Sequence, residues 1–192
     1  METTAVQRVR YGDGREALLR GVVEVVAENG LDGMTFRRVA ERAGVNNTLI
    51  THYFGTRDAL LTAAADWAAE RSQHLADLTK GAALDRDFAD ALTRMVADEP
   101  ELQLFQYEMT LAARRRPELK AAATRLYESY VDIMETTLEK YGYRHDRAAA
   151  RAVFASFDGL VLQQVTVTSV EDVREAMVRL GELIACRGDT PR

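Results

Sequence analysis

Asn46, Asn47, Thr48, Leu49, Thr51, His52 and Tyr53 crowd into one short stretch, GVNNTLITHYFGTRDALL, running from Gly44 to Leu61. Amides and hydroxyls grouped this way suit the reading of DNA base edges. Asn can pair bidentately with adenine, Thr can reach either kind of edge, and Leu49 could touch a thymine methyl. His52 stands on the same segment and is counted with them. Phosphate oxygens need other partners, and Thr35, Arg37, Arg38, Tyr53 and Arg57 supply hydroxyls and guanidinium groups around the two ends of this unit. Arg8 and Arg10, on a polar N-terminal arm, could enter a minor groove or screen phosphate, or belong to a solvated tail.

Such side chains act together only if short helices hold them at a fixed angle. The spacing predicts a first helix with Asp13 and Glu16 as a capping box, an apolar face of Leu18, Val22, Val25 and Val26, and a stop at Gly30. Thr35 then caps a two-turn helix with Phe36, Val39, Ala40 and Ala43 inward, ended by Gly44. Asn46 caps a third that buries Val45, Ile50 and Phe54 and stops at Gly55. Helix, Gly-containing turn, helix is the helix-turn-helix arrangement, whose second member offers its N-terminal side chains to the major groove.

Beyond Thr56 the periodicity predicts longer helices. Leu60, Ala64, Trp67, Arg71, Leu75 and Leu78 follow one face of a fourth helix closed by Lys80 and Gly81. Another covers residues 84–97, Pro100 opens the next, and Pro117 opens one with Leu119, Leu126, Tyr130, Val131, Met134, Leu138 and Tyr141 on its apolar face. A helix from about Asp146 to Thr168 and a last one capped by Ser169 and Asp172, carrying Val173, Met177, Leu180, Leu183 and Ile184, complete the pattern. No alternating strand of convincing length and no internal repeat occurs. The fold class expected is all-α with about nine helices: a three-helix DNA-binding domain over residues 1–57 and a larger helical domain over 58–192.

Composition narrows the function. With 47% hydrophobic residues in 192, the chain can bury a substantial core. The net charge of −5 argues against indiscriminate nucleic-acid coating, and residues 61–192 carry all of it, because eight arginines balance eight acids in residues 1–60. No apolar run suits a secretory signal or a membrane span, so a cytoplasmic protein is expected. The single cysteine, Cys186, excludes an intramolecular disulfide framework and a multi-cysteine metal site. His52, His74 and His145 have no i, i+4 partner for a metal. Asp85, Asp87 and Asp90, like Asp98, Glu99 and Glu101, read as solvated helix ends, Gly12-Asp13-Gly14 as a turn, and Arg114 to Arg116 as a solvated terminus facing a helix dipole. Neither a catalytic centre, a metal nor a cofactor is expected.

GREALLRGVVEVVAENG followed by MTFRRVAERAGVNNTLITHYFGTRDALL resembles the DNA-binding domain of the TetR family of transcriptional regulators, over roughly residues 14–61. The resemblance implies a dimer that represses transcription until a small molecule binds its larger C-terminal domain, with Tyr53 and Arg57 at positions that hold phosphate. Thr51 stands where the family often has tyrosine and Thr48 where it often has glycine or alanine, so the operator is left open.

For the remainder, the walls of an effector pocket are expected from Trp67, Phe105, Tyr107, Met109, Tyr127, Tyr130, Met134 and Phe157, with Gln103, Gln106, Glu108, Thr110 and Gln163 as polar candidates. Phe154, Phe157, Leu160, Val161 and Val165, with the last helix, form a face too apolar to stay wet, which points to a homodimer through residues 146–187. The partners expected are a double-stranded DNA operator, a second copy and an unidentified small molecule. The rival reading is a helical sensor or scaffold of the same fold that binds no operator.

Overall fold

The computed structural model describes residues 13–77, 83–143 and 146–186. Arg8, Arg10, Gly12, Leu78, Lys80, Gly81 and His145 lie outside them, as do the side chains of Asp13, His74, Leu75 and Cys186. Among the described residues there are nine helices and no strand: α1 Asp13–Gly33, α2 Phe36–Ala43, α3 Asn47–Tyr53, α4 Arg57–Asp77, α5 Arg86–Asp98, α6 Pro100–Ala113, α7 Pro117–Lys140, α8 Arg147–Gln164 and α9 Val170–Cys186. They pack as two compact units, one of residues up to 69 together with 104–123, the other of 70–103 together with 124 onward.

In the first unit, α1 buries Leu18, Leu19, Val22, Val23, Val25 and Val26. These recur at three- and four-residue spacing, so one stripe faces inward and receives Val39 and Ala40 of α2, Ile50 of α3 and Leu60, Leu61 and Ala64 of α4, all buried. Phe105, Met109, Ala112 and Leu119 add a second buried set. The expected stop at Gly30 appears as a break: φ is +67°, a left-handed conformation that glycine tolerates, and one further turn reaches Gly33. That turn exists because Leu31 and Met34 are buried just beyond it. Val45 and Phe54, expected inside, are only half-buried.

In the second unit, Phe88 of α5 meets Phe157 of α8 edge-on at 5.1 Å, and Val173 and Met177 of α9 are buried. Gly181 brings α9 against the chain before α5, where an added Cβ would lie 1.8 Å from the Leu84 carbonyl oxygen. Gln164 ties α8 to α5 by donating to the Thr93 carbonyl at 2.8 Å. Arg71, expected on an apolar face, is half-buried and gives two hydrogen bonds to the Glu99 carboxylate.

Two expectations need correction here. The eighth helix ends at Gln164, not Thr168, because Val165-Thr166-Val167-Thr168 is a run of β-branched residues with poor helix propensity. Phe157 and Val161 are buried within the chain's own core, so they do not form an outward face; the exposed large apolar residues of this region are Leu162, Val167, Val170 and Leu183.

Candidate nucleic-acid interface

Seven residues make α3 too short to persist alone, and it is fastened at both ends. At its start, the Asn46 side-chain oxygen accepts from the Thr48 backbone N–H and from the Thr48 hydroxyl, each at 2.9 Å. At its finish, the Phe54 and Gly55 amides donate to the Ile50 and Thr51 carbonyls. Ile50 is wholly buried between, so the rotation of α3 is set. Asn46, Asn47, Thr48, Thr51 and His52 therefore point to solvent, while Leu49 and Tyr53 are half-buried.

Leu49 is turned partly away from a groove-reading position, because its Cδ2 lies where a Cβ on Gly14 would come within 3.2 Å. Asn46 uses its carbonyl as the helix cap, leaving its NH2 as the outward group. The capping roles of Thr35 and Asn46 and the stop at Gly44 follow the sequence reading, and Gly44 makes that stop in the αL conformation.

The basic residues divide by what they touch. Arg37 is fully displayed, with Glu41 of the next turn 3.8 Å away. Arg38 is exposed and donates to the Gly33 carbonyl at 2.7 Å, beside Thr35, whose hydroxyl accepts from the Arg38 amide. Arg57 is half-buried and reaches back along the chain, its Nη2 donating to the Leu31 carbonyl at 2.5 Å and its Nε to that of Met34 at 3.4 Å. In this structure Arg57 braces the α1–α2 connection.

Periodicity did not single out two further residues. Arg15 stands 5.5 Å from the centre of the Phe54 ring, a cation–π contact joining the start of α1 to the end of α3. Arg42 bonds the Glu24 and Glu28 carboxylates of α1, which raises the Arg42 pKa and, chiefly through the Arg42 hydrogen bond, holds the Glu28 carboxyl below its usual range. A basic residue four turns downstream of a row of glutamates was the available signal. Open grooves on these helices are lined by Glu16, Arg20, Glu24 and Arg42 and by Glu28, Arg38 and Glu41, and no expected effector residue lines either.

The effector candidates fall in both units. Trp67, Phe105, Tyr107 and Met109 belong to the first, with Phe105 and Met109 buried; Tyr127, Tyr130, Met134 and Phe157 belong to the second, with Met134 and Phe157 buried. Within the second, Tyr130 stacks on Phe154 at 5.4 Å and Tyr127 meets the same ring edge-on at 5.6 Å. Phe154, assigned from sequence to a dimer face, is a ring partner of both tyrosines. Among the polar candidates, Gln103 and Gln106 are buried, and the Thr110 hydroxyl is buried with no partner among the described residues. Gln163 turns back on its own helix, donating to the Gly159 carbonyl at 3.4 Å.

Residues 18–64, which take in α2, α3 and their supports, match the family described as bacterial regulatory proteins of the tetR family, and residues 83–183 match the tetracyclin repressor-like C-terminal domain. The chain belongs to the TetR family of transcriptional regulators. This is a family of regulators, not of enzymes.

Individual TetR-family proteins resemble the chain over different lengths. The HTH-type transcriptional regulator BetI of Serratia proteamaculans is 26% identical over 190 residues, 92% of this chain and 94% of that protein. BetI 1 of Chromohalobacter salexigens is 42% identical over 50 residues, only 26% of this chain and 25% of that protein. Among solved structures, a TetR-family regulator from Rhodococcus sp. superposes with a TM-score of 0.73 over 91% of this chain and 99% of that one, at 22% identity, which speaks to the fold. The multidrug binding protein EbrR complexed with malachite green is 30% identical, covering 86% of this chain and 96% of that one, with a TM-score of 0.59. No helix among the described residues is long and apolar enough to cross a membrane.

Proposed function

We propose that this TetR-family regulator is a repressor that binds a palindromic operator as a homodimer and releases it when a small molecule occupies its C-terminal part. In this reading residues 1–57 carry the reading head and 58–192 the effector-binding and dimerisation part, and the protein acts in the cytoplasm. The observation that carries it is the display of Asn47, Thr48 and Thr51 on a helix whose two ends and buried Ile50 leave no freedom of rotation. A preset helix of amides and hydroxyls is what base-edge recognition needs.

Dimerisation is supported by the exposure of Leu162, Val167, Val170 and Leu183, since a patch of that kind on α8, α9 and their connection is more stable covered. A two-fold pair would present two α3 helices to successive major grooves, hence the inverted repeat. Effector release requires only that the ligand prefer a dimer whose reading heads are out of register, by the difference in its affinity for the two states. The relatedness to EbrR makes malachite green and proflavin the first effectors to try.

Selection of bound sequences from a random DNA pool tests the proposal. An enriched inverted repeat is expected, with strong salt dependence; a pool that stays random, with no salt slope, would favour the scaffold reading.

A further inference from the structure

Arg114, Arg115 and Arg116 form the turn between α6 and α7, and this turn belongs to the same compact unit as α1, α2 and α3. Arg116 brings the turn near the end of α1: its Nη2 is 3.6 Å from the Asp32 carboxylate. Asp32 sits in the last turn of α1, between the break at Gly30 and the cap at Thr35. In homeodomains, which also set a third helix in the major groove, the connection between the first two helices touches the DNA backbone. Arg38 and Arg57 also anchor at the end of α1 and just beyond it, through the Gly33, Leu31 and Met34 carbonyls. Guanidinium groups therefore converge on residues 31–34 from α2, α4 and the α6–α7 turn.

Arg114 and Arg115 share with Arg94 of the second unit an exposed side chain that has no ion pair among the described residues, and they are the two that stand side by side on a turn of the first unit. In the second unit Arg86, Arg147, Arg151, Arg174 and Arg179 each face a carboxylate within 4 Å. Arg114 and Arg115 are exposed, and among the described residues neither has an ion-pair partner. The negative end of α6 favours cations at this turn, which explains their accumulation but not which anion they meet. Asp32, 99% exposed, would repel a phosphate, and Arg116 neutralises it. What remains is two exposed guanidinium groups with no ion pair among the described residues, on a turn whose third arginine reaches the last turn of α1, and guanidinium matches phosphate bidentately.

We propose that Arg114 and Arg115 bind backbone phosphates of the DNA, so that the α6–α7 turn extends the footprint beyond α2, α3 and the start of α4. The inference rests on the DNA-binding reading above. It makes the turn a source of affinity and salt dependence without sequence preference, because phosphate contacts position the protein and do not read bases.

The test compares the full chain with R114A/R115A and with R151A/R179A, a double variant that removes the same charge from the second unit, against a selected operator and an unrelated duplex over a range of salt. Both doubles alter exposed side chains, and circular dichroism checks their folding. If each guanidinium holds one phosphate, the slope of log affinity against log salt falls in magnitude by about 1.8 for R114A/R115A, and the advantage of the unsubstituted chain shrinks about twelvefold between 50 and 200 mM salt. That loss should be equal on both duplexes, and R151A/R179A should keep the original slope. An unchanged slope in R114A/R115A, or an equal fall in R151A/R179A, overturns the inference while leaving operator binding intact. If the unsubstituted chain binds no duplex at all, the DNA-binding reading and this one fail together.

Discussion

Gly181 of α9 and the carbonyl of Leu84 approach so closely that any side chain at position 181 would enter the van der Waals shell of a backbone oxygen, which has no rotamer by which to yield. The contact joins the last helix to the entry of α5. Gly181→Ala should destabilise the chain by about 3 kcal/mol or more, the upper range for overpacking. The melting temperature should then fall by roughly 6–12 °C. Calorimetry checks it, and an unchanged transition would mean that α9 can move off Leu84 at no cost in stability.

Asn46 and Asn47 are neighbours with different work. Asn46→Ala removes the cap of α3 and should lower stability by about 1 kcal/mol, whereas Asn46→Asp keeps an acceptor there and should not. Asn47→Ala should leave the melting temperature alone and weaken operator binding by about 1–3 kcal/mol, with relaxed preference at one position of each half-site. Melting curves beside binding titrations separate the two; equal behaviour of the two variants would contradict the assignment.

Arg57→Ala removes a donor from the Leu31 and Met34 carbonyls, of which Leu31 keeps the Met34 amide at 3.2 Å. A stability loss of about 1–3 kcal/mol is expected. If Arg57 also held a phosphate when DNA is bound, its loss would flatten the salt slope by about 0.9 in addition. Two of its five N–H donors are used inside the chain, so the expected result is a lowered melting temperature together with that flatter slope.

Acid should loosen the chain in a definite direction. Hydrogen bonds from Arg42 hold the Glu28 carboxyl below its usual range, those from Arg151 and Arg147 do so for Glu128, and that from Arg86 does so for Glu175. Each group binds its proton less readily folded than unfolded. The stability they contribute is present above the ordinary glutamate value of about 4.3 and is lost as pH falls from there through the lowered folded values. Urea midpoints followed through this window should decline, and Glu28→Gln should make the decline shallower; a steeper one would reverse the sign.

Leu162→Asp with Leu183→Asp places charges on exposed apolar positions of α8 and α9. Sedimentation should show a dimer giving way to monomer with helix content retained. A monomeric parent chain would remove the basis for two-site operator binding.

The helices were legible where local chemistry decides them. Thr35, Gly44, Asn46, Ser169 and the prolines at 100 and 117 act within one turn of themselves, so their types announce boundaries. Legibility failed where a distant partner decides. Arg57 has the type and position of a phosphate ligand, and only the placement of Leu31 and Met34 beside it reveals the intramolecular bonds. Phe157 and Val161 have the spacing of an outward apolar stripe, but Phe88 covers one of them and burial takes both. Gly181 is an ordinary mid-helix glycine until the Leu84 carbonyl is placed against it. Nothing local to Arg114 to Arg116 distinguishes a solvated terminus from a cationic turn pinned to Asp32.

The brace from Arg57 to Leu31 spans 26 positions and closes a loop around α2 and α3. A fragment cut at Thr56 would keep all three helices of the reading head yet lose both guanidinium bonds that tie the start of the fourth helix to Leu31 and Met34. Anyone grafting this head onto a foreign effector body should therefore set the splice well inside the fourth helix, so that the arginine arrives with the helix that aims it.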